Sequence, residues 1–334
     1  MFDQQIAYAS RRPLLLLRIG RRALHSLLVI FLVATIAFGL IAIAPGDPCA
    51  TDDPRITLAV QAQCRARLGL DGPLLGRYVQ FLSHAARGDL GQSYITQRPV
   101  AEMVAQALPN TILLMSLAIA LSLIGGLVLG VARSVQPRSS LGQIAMGTAV
   151  VLYSLPEFWL AQIAVFVFAY VMPVFPAGGT VTTITHDYMN VWGRLWDRID
   201  HLILPVITLA AVSVAGIARF QRNAMRDVAG EDYLRTARAK GVPERDVIVR
   251  HALRNALLPL ITNIGFTLPA LFGGALFVEQ VFSWPGMGRL AFNAISQRDA
   301  PVVIGCTLVG SGAVVLGSLI ADALYAVADP RMRT

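Results

Sequence analysis

Long apolar blocks alternate with shorter polar connectors along the chain. Six blocks, at about 24–44, 109–133, 144–172, 202–221, 257–280 and 302–324, approach or exceed the roughly 20 residues a helix needs to cross a hydrocarbon core. The connector 45–108 is polar but patterned. Leu68-Gly69-Leu70-Asp71-Gly72-Pro73 reads as a turn, and Leu74, Leu75, Tyr78, Phe81 and Leu82 follow at helical spacing. A small helical cap is predicted there, with Asp71, Gly88 and Asp89 as turn and cap residues. The expected fold class is an all-α integral membrane protein of six transmembrane helices, with a helical external segment after the first.

The stretch Arg219 to Arg254 interrupts this pattern. It holds nine basic residues (Arg219, Arg222, Arg226, Arg235, Arg238, Lys240, Arg245, Arg250, Arg254) against five acidic ones (Asp227, Glu231, Asp232, Glu244, Asp246), half of the chain's net +8. An Arg or Lys at mid-bilayer costs about 3 kcal/mol, so this stretch stays on one side of the membrane. From Gly230 it divides into two helices. The first starts with Glu231 and Asp232 and ends with Arg238 and Lys240 before Gly241; acids first, bases last and a terminal glycine match the helix dipole and its commonest stop. The second starts at Pro243, a residue suited to the first helical position, and runs towards Pro259.

Composition changes the picture only by excluding a soluble class. Mean hydropathy is +0.60, and 14% of residues are charged against roughly 25% in a soluble domain. The sequence pI near 9.9 does not read as a nucleic-acid footprint, because the bases flank apolar blocks as the positive-inside rule requires. Arg11, Arg12, Arg18, Arg21 and Arg22 precede the first block, which places residues 1–23 in the cytoplasm. Alternation then puts 134–143, 222–256 and the tail 325–334 inside, and 45–108, 173–201 and 281–301 outside. Arg55, Arg65, Arg67, Arg77, Arg87 and Arg98 run against that bias, yet long outer segments translocate largely regardless of charge. Ala42-Ile43-Ala44 has the form of a signal cleavage site, but the apolar run before it is longer than a signal core. The expected location is a bacterial or archaeal cytoplasmic membrane, with both termini cytoplasmic.

Candidate functional residues are few. Gly126 and Gly130 form a GxxxG pair, which lets membrane helices approach closely. Pro156, Pro205, Pro259 and Pro269 lie in or at the ends of blocks, where they kink helices or simply terminate them. Glu157, beside Pro156, is an ionisable residue inside an apolar block and a candidate for a translocation path by default; the alternative is that the chain bends there and delivers it to a polar neighbour. Cys49 and Cys64, 15 positions apart in the outer segment, form either a disulfide or two separate thiols. No Cys or His spacing suggests a metal.

Several motifs carry a resemblance. Asp232-Tyr233-Leu234-Arg235-Thr236-Ala237-Arg238-Ala239-Lys240-Gly241, followed by Arg250-His251-Ala252-Leu253-Arg254-Asn255-Ala256-Leu257-Leu258-Pro259, resembles the cytoplasmic EAA loop of ABC-importer permeases, specifically the dipeptide, oligopeptide and nickel family. Ala44-Pro45-Gly46-Asp47-Pro48, Gly88-Asp89-Leu90-Gly91 with Arg98-Pro99-Val100, Phe282 to Leu290, Arg298-Asp299-Ala300-Pro301 and Asp329-Pro330-Arg331 fall in that family's order. There are departures: Arg235 stands at the general motif's glutamate position, Leu253-Arg254 replaces its leucine-proline, and Glu157 stands where the family usually has a small residue.

The resemblance implies a type I ABC importer permease fold and a B-type membrane subunit of a peptide importer. It implies a related second permease subunit as heterodimer partner, two ATPase subunits carrying ATP and Mg, an external binding protein, and surrounding lipid. Tyr233, Leu234, Arg235, Ala237, Lys240 and Gly241 would form the coupling helix that docks on an ATPase. Glu157, Pro156 and Pro269 are the candidates for the solute path. Independently, Lys240 is the only lysine and Gly241 follows it, so no GxxxxGK[ST] phosphate loop exists in the chain. No catalytic residue, bound cofactor, metal or nucleic acid is expected. A nickel-chelate or other small-solute permease is the alternative, and an ATPase-independent secondary transporter a more distant one, since such carriers usually need more buried charge.

Overall fold

The computed structural model describes residues 11–43, 49, 57–67, 71–257, 260 and 275–328. Among them the regular elements are all helical; one isolated antiparallel bridge joins Gln92 and Pro99. The chain forms two compact units, Met1–Val104 with Ala294–Val315, and Ala105–Asn293 with Leu316–Thr334.

The first unit contains α1 (Arg11–Ile43), α2 (Leu58–Arg67) and α3 (Leu74–Ala86). From Leu24 on, α1 is apolar on nearly all sides, with only Ala34 buried. A helix apolar all round in this way is a membrane helix rather than one face of a soluble core. α3 lies against α1 through the stripe its sequence spacing predicted: Tyr78 meets Phe38 at a tilt and Phe81 stacks on it, at centroid distances of 5.3 and 5.5 Å, and the Tyr78 and Thr35 hydroxyls are 2.7 Å apart. Cys49 and Cys64 are joined by a disulfide, Cα atoms 5.9 Å apart. After α3 the chain turns at Gly88 and Gly91, both at positive φ, where glycine alone is unstrained. Asp89 closes this turn. His84 and the Gly91 amide bond its carboxylate and hold it below the ordinary carboxylate range.

The second unit is built on two long helices. α4 (Val100–Val135) enters it after its first turn, and α7 (Val191–Ala229) runs through it for 39 residues. At 1.5 Å per residue α7 is about 58 Å long, roughly twice the hydrocarbon thickness. It starts cleanly because Asn190 caps it, accepting from the Gly193 amide at 2.7 Å, and it stops at Gly230. α4 and α7 approach at Gly126 and Gly130; a Cβ on Gly130 would sit 2.6 Å from the Ala218 carbonyl oxygen. α5 (Ser140–Ser154) also packs along α7.

The apolar block 144–172 is not one straight span. α5 and α6 (Glu157–Val165, continued as a π-helix over Phe166–Val171) meet at 110°. Pro156 cannot donate a backbone bond and drives the preceding residue out of helix; Leu155 is extended at ψ 143°. The remaining elements are α8 (Asp232–Ala239), α9 (Glu244–Asp246), a π-turn Val247–Ala252, α10 (Leu253–Ala256), α11 (Leu276–Val281), α12 (Met287–Ser296) and α13 (Ala300–Ala328). Among the described residues four helices are long and apolar enough to cross a membrane, or five with the bent pair as one span. The expected fifth span, 257–280, falls mostly outside the described residues, and Pro259 and Pro269 with it.

Candidate coupling surface and membrane cavity

The loop after α7 folds as its charge order predicts. α8 starts at Asp232 and stops at Gly241, whose φ of 75° is the left-handed value that ends helices. The Gly241 amide donates to the Arg238 carbonyl and the Val242 amide to the Ala237 carbonyl, so the last carbonyls are satisfied within the turn. A short amphipathic helix needs a platform, and α8 has one. Leu234 and Ala237 are buried against Ala224 and Met225 of α7, with Val247, Ala252 and Ala256 completing the cluster. Tyr233, Arg235, Lys240 and Gly241 face outward.

Of the six loop candidates, Leu234 and Ala237 therefore anchor the helix, and the other four form its free surface. Asn255 donates to the Tyr233 hydroxyl at 2.7 Å, tying that surface to α10. Arg238 grips Glu244 with two bonds, at 2.9 and 3.1 Å, which hold the Glu244 carboxyl below its ordinary value and lock the α8–α9 turn. Arg235 reaches Asp232 only at 3.5 Å, and Lys240 has no ion-pair partner among the described residues.

Three carboxylates that sequence reasoning did not single out are buried, Glu279 and Asp197 in the second unit and Asp299 in the first. Glu279, fully buried on α11, accepts from the Thr111 hydroxyl at 2.7 Å and from the Arg289 amide at 3.0 Å. Thr111 in turn accepts from the Met287 amide at 2.7 Å. Trp284 donates to the Asn110 carbonyl, and Asn110 to the Pro285 carbonyl. Gly286 and Gly288 are glycines because a Cβ at either would overlap the Glu279 carboxylate or the α11 backbone. The motif Phe282 to Leu290 is thus a clasp that fixes α11 and the start of α12 onto α4.

Asp299 does the same work in the first unit, accepting from the Ser93 hydroxyl at 2.5 Å and the Tyr94 amide at 3.0 Å. Asp197, on α7, accepts from the Thr182 hydroxyl at 2.6 Å and amide at 3.0 Å and lies 2.6 Å from His186 Nδ1. His201 Nδ1 donates to the Asp197 carbonyl. With the Gly179 amide on the Phe282 carbonyl, this cluster straps the 173–190 connector across α7 and the clasp. The cue in each case was a polar residue or glycine pair beside an apolar block, but its partner lay far along the chain.

Pro156 is the N-cap of α6 and exposed. Pro205 is buried inside α7, which continues through it. Glu157 is half-buried and lines a cavity of about 140 Å³ with Met115, Ala118, Ser122, Leu209 and Ser213. A larger open groove, about 520 Å³, is lined by Trp159, Gln162, Phe166, Tyr170 and Val281. Among the described residues no group of three or more His, Cys, Asp or Glu could hold a metal ion.

Long apolar helices, a polar loop helix seated on the longest of them, and a clasp at that helix's other end are the features of a membrane-embedded protein. Residues 118–334 match the sequence family described as binding-protein-dependent transport system inner membrane component, and residues 15–116 match its N-terminal companion. The chain belongs to that family of transporter permease subunits. It is 39% identical over 314 residues to the oligopeptide transport system permease protein AppB of Bacillus subtilis, covering 93% of this chain and 98% of the relative. Identity is 35% over 318 residues to the dipeptide transport system permease protein DppB of Escherichia coli, covering 90% and 94%. The oligopeptide transport system permease protein OppB of Mycobacterium tuberculosis is 34% identical over 326 residues, covering 94% and 98%.

Proposed function

We propose that this chain is one of two related membrane subunits of an ABC importer for peptides, working with two ATPase subunits and an external binding protein. In this reading residues 222–256 and both termini are cytoplasmic, and the outer surface of α8 docks on an ATPase. The observation that supports it most is the seating of α8. Its buried side holds it on the inner end of α7, while Tyr233, Arg235, Lys240 and Gly241 stay exposed. A displacement of α8 then moves the 39-residue α7 with it.

In the proposed cycle, ATP binding closes the two ATPases and carries the paired α8 helices with them. The membrane helices alternate between outward and inward openings, and the binding protein delivers the solute. This chain supplies geometry and no chemical step on the solute. The peptide assignment rests on the relatives' names and on coverage that runs over nearly the whole chain.

The experiment is Gly241→Val in the assembled transporter. A branched residue at φ 75° costs at least about 1–2 kcal/mol, and a Cβ there meets no other atom, so the damage stays at the helix stop. Peptide uptake should fall several-fold with the binding protein's peptide affinity unchanged. Normal uptake by Gly241→Val, or a functional transporter purified without any ATPase, would sink the reading.

A further inference from the structure

The cavity beside the α5–α6 break has an unusual composition for its depth. Its lining comes from α4 (Met115, Ala118, Ile119, Ser122), α7 (Leu209, Val212, Ser213), Ala275 before α11, and Glu157. All of these residues lie within apolar blocks. Among the described residues Glu157 is the only charged group in the lining, and its carboxylate has no hydrogen-bond or ion-pair partner. The bend at Pro156 brings Glu157 to the cavity and, among those residues, to no such partner. Arg219, on the inner part of α7, is 5.1 Å from the Tyr153 ring centroid and engaged there.

A lone carboxylate at membrane depth is costly and persists where it faces water or a ligand. Glu157 occupies the first turn of α6, where the helix dipole favours negative charge. Two hydroxyls accompany it. Ser122 donates to the Ala118 carbonyl of its own helix at 2.7 Å, which leaves its oxygen lone pairs as acceptors. Ser213 is exposed at the rim. One anionic and two neutral acceptors, with no positive charge among the described lining residues, suit a cation that donates hydrogen bonds. The volume, about 140 Å³, equals that of roughly five waters. It admits an ammonium group with a short stem but not a whole peptide.

We infer that this cavity is a subsite for an ammonium group of the transported solute, held by Glu157 with Ser122 and Ser213. This deepens the peptide reading and rests on it for the identity of the solute. The ammonium can come from a peptide amino terminus or from a basic side chain.

The test uses the assembled transporter in membrane vesicles. Ser213→Cys places a thiol at the rim of a chain whose other cysteines are the Cys49–Cys64 disulfide and the buried Cys306. Its reaction rate is measured with cationic ethyltrimethylammonium and anionic sulfonatoethyl methanethiosulfonates. Adding Glu157→Gln should lower the cation-to-anion rate ratio by about tenfold, as expected for loss of a charge a few ångströms away in a partly desolvated site. Glu157→Asp, which keeps the charge, should preserve the ratio. A ratio indifferent to Glu157→Gln overturns the inference.

Uptake of tri-alanine, N-acetyl-tri-alanine and N-acetyl-Ala-Lys-Ala then separates the sources. Selective loss for tri-alanine in Glu157→Gln assigns the amino terminus, and selective loss for the lysine peptide assigns the side chain. Equal losses for all three, or none, refute the subsite. If the unmodified transporter moves none of these peptides, the peptide reading falls, while the thiol rates still decide the cation site.

Discussion

Glu279→Ala should be among the most destabilising single changes in this protein. The carboxylate is fully buried and takes a 2.7 Å bond from Thr111 and a 3.0 Å bond from the Arg289 amide. A buried donor left without its partner costs about 1–3 kcal/mol. Loss of two such bonds gives roughly 2–5 kcal/mol. Thr111→Val removes the hydroxyl that both donates to Glu279 and accepts from the Met287 amide, and should cost about 2 kcal/mol. The assay is reversible unfolding in mixed micelles of the wild type, both single variants and the double variant. Because the two side chains touch, the double variant should lose about 1 kcal/mol or more less than the sum of the singles. Additivity within about 0.3 kcal/mol, or a Glu279→Ala cost below about 1 kcal/mol, would refute the clasp as described.

Leu234→Ala removes the largest anchor of α8, almost fully buried on Ala224 and Met225, and should weaken that docking by about 2–5 kcal/mol. Peptide transported per ATP hydrolysed should fall, whereas an unchanged ratio would mean that α8 is held by something other than this cluster. Replacing Cys49 and Cys64 together by alanine removes the link closing a loop of 15 positions. The segment around α2 should lose about 3 kcal/mol of local stability, read as faster proteolysis there with no change in cleavage of the 222–256 loop.

Class and loop chemistry were legible because their causes are local. Twenty apolar residues in a row have one stable environment, and Glu231, Asp232, Arg238, Lys240 and Gly241 spell out a helix with its ends. The α3 stripe on α1 was legible for the same reason. Other features depended on competition between distant parts. A proline in an apolar block can kink, end or break a helix; at Pro156 the result is two helices at 110°. The charges from Arg219 onward suggested that the fourth span ended at 221. A change from lipid to water does not end a helix, however, and α7 continues until Gly230 supplies a stop. The Glu279 clasp joins residues 168 positions apart, so periodicity carries no trace of it. Its one local sign was Gly286 and Gly288, whose missing side chains make room for the carboxylate.

The length of α7 connects these features mechanically. Met225, under α8, and Asp197, in the strap, are 28 positions apart on one helix, which places them about 42 Å apart along its axis. That exceeds the roughly 30 Å of hydrocarbon, so a shift imposed on α8 reaches the far side without crossing a loop. Along the way α7 passes Leu209 and Ser213 at the Glu157 cavity and packs its backbone against Gly126 and Gly130 of α4. Small residues there let the two helices approach closely, with Ile217 seated against Gly126 and Gln221 against Gly130. The far end is different: Asp197 and Glu279 fix connectors through short buried hydrogen bonds that a small tilt cannot stretch. Displacement of α8 is therefore expected to pivot α7 about its clasped end, with relative movement growing towards α8.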